Sequence, residues 1–100
     1  TEAPWRHAGS ETDPGAQIDL LIDRADGTIS LCEMKFSEGL FTIDKPYAGQ
    51  LRQKRDTFRR VTGTRKNIFL TLITTFGIAN NAQARELVGN SVLADELFRE

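Results

Sequence analysis

Apolar and polar positions alternate over residues 16–23, where Ile18, Leu20 and Ile22 interleave with Asp19, Leu21 and Asp23 at the two-residue period of a β-strand. A second strand is predicted over residues 28–36. The link Ala25-Asp26-Gly27 carries Gly where a type I turn with a G1 bulge needs a left-handed residue, so Arg24 and Thr28 would close a hairpin. Counting back from that pair sets Leu20 opposite Cys32 and Asp19 opposite Glu33, with Lys35 opposite Gln17 on the same side. A two-residue loop, Asp26-Gly27 closed by Ala25 and Thr28, would instead set Asp19 opposite Met34 and send the two carboxylates to opposite faces.

The period then lengthens. Tyr47, Leu51, Phe58 and Val61 form a stripe at helical spacing. Asp44 as N-cap, Pro46 in the first turn and Gly63 after the last apolar position bound a helix over residues 45–62. Lys54 falls in the middle of the stripe and Gln50 on its border, so Lys54 either snorkels past its neighbours to water or meets a partner inside. Residues 67–76 are rich in β-branched and aromatic side chains and predict an interior strand. A turn over 77–81, a short helix over 82–88, a strand over 91–93 and a helical turn in ADELF complete the reading. Residues 1–15 are polar and turn-rich and read as a leader, leaving residues 16–100 as the domain.

One hundred residues suffice for one domain. The longest apolar segment, residues 68–78, is interrupted by Thr and Gly and is too short to span a bilayer, and the leader lacks the pattern of a signal peptide, so no membrane partner is expected. Cys32 is the only cysteine, which excludes an intrachain disulfide and a multi-cysteine zinc site and points to a reducing, cytoplasmic setting. The net charge of −1 hides an uneven distribution: residues 45–66 hold eight cations against the single acid Asp56, a local +7, so the remainder carries −8. Such a block is what a polyphosphate-binding surface needs, and it is also what many solvated helices look like.

The chemistry concentrates on the hairpin. Asp19 and Glu33 are hard oxygen donors of the type that suits Mg²⁺ or Mn²⁺, and a divalent cation can polarise a phosphodiester and lower the pKa of an attacking water. Lys35 beside them can orient that water or stabilise charge developing on the phosphate. Gln50 or Lys54 on the helix could complete the site, and Lys45, Arg52, Lys54, Arg55 and Arg59 are the candidate contacts to a nucleic-acid backbone. Cys32 and Met34, on the opposite hairpin face, read as packing residues, and the lone His7 lacks ligand partners in the sequence.

Asp19, then Glu33-Met34-Lys35 on the next strand, then a helix bearing Gln50 and Lys54, resembles the PD-(D/E)XK nuclease superfamily. The strings GAQIDLLIDR, CEMKFSEG and IFLTLITTFG, with the ending SVLADELF, look like the C-terminal domain of a group of bacterial AAA-type ATPases. The resemblance covers nearly all of residues 15–98 and implies an α/β, restriction-endonuclease-like fold, a mixed central sheet with flanking helices. It implies Asp19 and Glu33 as metal ligands, Lys35 as the catalytic lysine, and Gln50 and Lys54 as auxiliary residues. It also implies a nuclease activity on nucleic acid, or an inactive nucleic-acid or protein interaction module of the same fold.

The chain departs from the family's pattern at one point. A helix carrying a further acid usually precedes the first of these strands, whereas residues 1–15 contain Pro4, Gly9, Pro14 and Gly15, and Glu2, Glu11 and Asp13 are poor substitutes for that acid. The expectation is a fragment whose first helix, with an ATPase module, lies upstream.

Overall fold

The computed structural model describes residues 2–12 and 15–97, with Leu97 described by its backbone alone. It is a small α/β domain built on one mixed five-stranded sheet. The elements are β1 (Glu2–His7), β2 (Ala16–Asp23), β3 (Thr28–Lys35), α1 (Lys45–Thr62), β4 (Asn67–Thr74), α2 (Ala82–Leu87), β5 (Val88–Leu93) and α3 (Ala94–Leu97). Strand order follows chain order. The first three strands run antiparallel through short links, and β4 and β5 each return parallel to their predecessor. A parallel return needs a crossover, and α1 and α2 supply the two of them. The helical turn expected in ADELF extends to Phe98, which lies outside the described residues.

The hairpin register is the three-residue one. Arg24 N–H donates to Thr28 O at 3.0 Å, Gly27 adopts φ 84°, and Leu20 pairs with Cys32. Asp26 Oδ1 accepts from both the N–H (3.2 Å) and the hydroxyl (2.5 Å) of Thr28, which holds the link in its turn. Helix α1 is bounded as its sequence predicts: Asp44 Oδ1 accepts from Tyr47 N–H at 2.8 Å, and Gly63, at φ 67°, donates its N–H to Arg59 O at 2.9 Å.

The core lies on one face of the sheet. Ile29 and Leu31 of β3, Leu70 and Leu72 of β4 and Ile18 of β2 meet Ala48, Leu51 and Phe58 of α1 and Ala84 and Leu87 of α2. Alternation along β3 therefore places Glu33 and Lys35 on this same helix-covered face, and Cys32 and Met34 on the other.

The leader is the main correction to the sequence reading. Glu2–His7 is an edge strand paired with β2, and Trp5 packs edge-on against Phe58 of α1 at 5.0 Å between ring centroids. Pro4 is tolerated there because an edge strand leaves one side of its backbone unpaired. Between Ala3 and Trp5 the register slips: two steps along β1 span three along β2, from Leu21 to Ile18. The extra residue is a β-bulge around Asp19 and Leu20, opposite Pro4. It explains why Ile18 and Leu21, three apart, both pack towards the core, which strict alternation forbids. The remaining differences are at boundaries: β4 ends at Thr74, and β5 begins at Val88 directly after α2.

Candidate active site

Among the described residues, Glu33 is the charged side chain buried with the core, 3 % exposed and in line with Ile29 and Leu31 on β3. A carboxylate so placed must be paired and hydrogen-bonded. Two groups from two different elements meet it: the Lys54 ammonium of α1 pairs with Oε1, and Asp19 N–H donates to Oε2 at 3.1 Å. Lys54, from the middle of the apolar stripe, thus turns inward to a partner instead of escaping to water; its side chain is 25 % exposed.

Asp19 reciprocates. Its exposed carboxylate accepts Met34 N–H on Oδ2 at 3.0 Å. Each carboxylate therefore takes a backbone N–H of the opposite strand, one residue beyond Leu20 and two beyond Cys32, where the backbone ladder between β2 and β3 ends. The side chains replace the ladder at the point where β2, bulged against β1, diverges from β3. Asp19 and Glu33 are neighbours, as the hairpin count requires, and the bulge is what aims Asp19 there.

Lys35 follows on the same face. Its Nζ lies 4.9 Å from the centroid of the Tyr47 ring, within cation–π range, and Phe41 packs edge-on against that ring at 5.5 Å and 86°. Tyr47 Oη is buried and has no hydrogen-bond partner among the described residues. Burial, followed by the negative charges of Glu33 and Asp19, pushes its phenol well above the usual tyrosine pKa. Tyr47 is the residue that sequence reasoning missed, because it was accounted for as a member of the packing stripe; its seven-residue spacing from Lys54, two helical turns, was the available signal.

The other candidates fall elsewhere. Gln50 is exposed, and among the described residues no hydrogen bond joins it to either carboxylate. Arg52 reaches Glu86 of α2 at 3.4 Å, Arg55 reaches Asp56 at 3.4 Å, and Arg59 donates to the carbonyls of Thr64 (3.0 Å) and Lys66 (3.3 Å), tying the helix end to the link before β4. At about 100° per residue, Lys45, Arg52, Arg55 and Arg59 share an arc of roughly 80° on α1, and Lys54 lies outside it. The structure thus gathers Asp19, Glu33, Lys35 and Lys54, while the basic arc occupies another side of the helix.

Cys32 is buried on the opposite sheet face, and desolvation, aided by the charge of Glu33, pushes its thiol up to about 11, which marks it as an inert packing residue. Among the described residues no group of three or more His, Cys, Asp and Glu side chains could hold a metal ion. The donor set is the carboxylate pair alone, both oxygen, with Asp19 exposed. That suits Mg²⁺ or Mn²⁺, which keep several waters and take one or two carboxylates plus phosphate oxygens, and it does not suit a closed protein cage. No helix among the described residues is long and apolar enough to cross a membrane. No protein-family model, curated protein or solved structure matches this chain.

Proposed function

We propose that this domain is a PD-(D/E)XK nuclease-like module that hydrolyses nucleic-acid phosphodiesters with Mg²⁺ or Mn²⁺. The observation that carries the reading is the meeting of Asp19 and Glu33 across diverging strands, with Lys35 on the same face. The mixed sheet with helices on its core face agrees with the restriction-endonuclease-like fold that the resemblance implies. Attachment to an upstream AAA-type ATPase and a cytoplasmic setting belong to the same proposal.

Asp19 and Glu33 would hold the cation, which supplies polarisation of the phosphate and a more acidic bound water. The chain's own residues do the rest. Burial of Glu33 fixes its carboxylate, and the reciprocal backbone bonds fix both side chains to the strands, so the anionic pair is organised before any ligand arrives. Lys35 offers an ammonium to negative charge developing on a phosphate oxygen or to the attacking water. Lys54 neutralises Glu33 in the ligand-free protein and can turn to a phosphate when a cation takes over that neutralisation.

A second reading has its own observation. Lys54 already satisfies Glu33, and the basic arc of α1 lies away from the carboxylates, as an inactive nucleic-acid or protein interaction module would allow. Cleavage assays separate the two. Labelled DNA and RNA, single- and double-stranded, are incubated with the full chain in Mg²⁺, in Mn²⁺ and in chelator. The nuclease reading predicts metal-dependent products that Lys35→Ala and Glu33→Gln each reduce by roughly a hundredfold or more without loss of fold. Unchanged cleavage in both variants would sink the catalytic assignment. Metal-independent binding with no hydrolysis under either ion selects the interaction module.

A further inference from the structure

We propose that Tyr47 is the positioning residue for Lys35: its ring is a braced plate that holds the ammonium at the end of β3 where Asp19 and Glu33 meet. This deepens the phosphodiester-cleavage reading and rests on it.

A lysine side chain has four rotatable bonds, and an ammonium left to wander is poorly organised for stabilising charge at one atom. Among the described residues no carboxylate forms an ion pair with Lys35, and the partner the structure shows for its Nζ is the Tyr47 ring at 4.9 Å. That ring is itself fixed from two sides. Tyr47 N–H is held by the Asp44 cap at 2.8 Å, which seats the residue in the first turn of α1. Phe41 abuts the ring edge-on, and Phe41 is tied to the link after β4 by its N–H to Gly77 O and by Ala79 N–H to its carbonyl, each at 2.9 Å. The Tyr47 hydroxyl, buried without a partner among the described residues, contributes no hydrogen bond to this arrangement. It is therefore the π face that the site uses, and a quadrupole attracts a cation without neutralising it, as a carboxylate would. Lys35 is thereby oriented beside the carboxylate pair.

Replacing Tyr47 in the full chain tests this with two readouts. The first is the NMR shift of the Lys35 ε-methylene protons, which the ring current moves upfield; Tyr47→Phe retains that displacement and Tyr47→Leu abolishes it. The second is steady-state cleavage. Tyr47→Leu lowers kcat roughly tenfold with KM unchanged, and Tyr47→Phe restores kcat to within about threefold. Stepwise fluorinated phenylalanines at position 47 keep the ring volume, so they report even where the Leu variant does not fold, and kcat falls with each fluorine. An unshifted Lys35 resonance in the wild-type chain, a kcat indifferent to fluorination, or an effect confined to KM overturns the proposal. A wild-type chain that shifts Lys35 normally yet cleaves nothing overturns the nuclease reading and removes the catalytic purpose of the plate, while the contact itself stands.

Discussion

The β2–β3 hairpin is held differently at its two ends. At the turn, closure is by backbone: Arg24 donates to Thr28, Gly27 takes the left-handed conformation, and Asp26 secures the link from outside. At the open end the backbone ladder stops at Leu20 and Cys32, and two carboxylates and an ammonium carry the connection. The first end uses groups that water would otherwise satisfy, so its alternatives are inexpensive. The second depends on a buried charge whose partners must all be present, which is a poor way to join strands and a good way to hold oxygen donors in fixed positions.

If that contrast is right, the open end is where single substitutions do most damage. Glu33→Ala leaves the Lys54 ammonium facing a partly buried space without its counter-charge, and we expect a loss of about 3 kcal/mol in urea unfolding. Glu33→Leu combined with Lys54→Met should recover most of that loss, because an apolar pair of similar size avoids desolvation altogether; a double variant as unstable as Glu33→Ala would show that the ion pair itself, and not the orphaned charge, is what matters.

The opposite sheet face gives a pH signature. Burial raises the Cys32 pKa from 9.0 to about 11, so below pH 9 the thiol is protonated in both folded and unfolded chains and its contribution is fully present. Between pH 9 and 11 the unfolded thiol ionises while the folded one does not, and stability falls as pH rises. Cys32→Ser should flatten that stretch of the curve measured by denaturant midpoints; an unchanged slope would assign it to other groups.

The turn should be the mildest place to interfere. Gly27→Ala meets no neighbour within 4 Å, so its cost is the left-handed backbone alone, ~1 kcal/mol in thermal unfolding, with Mn²⁺ affinity unchanged. A matching drop in metal affinity would mean that the two ends are coupled through register and that the contrast between them is false.

How far these features were legible in the chain follows from how local their causes are. Gly27 fixes the hairpin register within five residues, and Asp44 and Gly63 bound α1 through contacts of three and four residues, so each could be read from sequence. Strand β1 could not. Its side chains are mostly exposed, it carries a proline, and its evidence is a partner that lies 9 to 20 residues away along the chain, from His7–Ala16 at the near end to Glu2–Ile22 at the far end. The bulge that aims Asp19 was hidden for the same reason, since an extra residue exists only relative to the strand opposite. Lys54 was legible as an anomaly in an apolar stripe, whereas its partner depended on the β3 register. Arg59 reads from sequence as a candidate phosphate contact, because the carbonyls it serves belong to a link whose path the sequence does not reveal.

The central claim is that the open end of the hairpin is a cation site. Anomalous diffraction from a crystal of the full chain soaked in Mn²⁺ tests it most directly. The account predicts a peak between the carboxylates of Asp19 and Glu33, with the Lys54 ammonium displaced from Oε1. A Mn²⁺-saturated crystal with no peak there and Lys54 still on Glu33 would contradict it, and the carboxylates would then be a structural clasp between two strands.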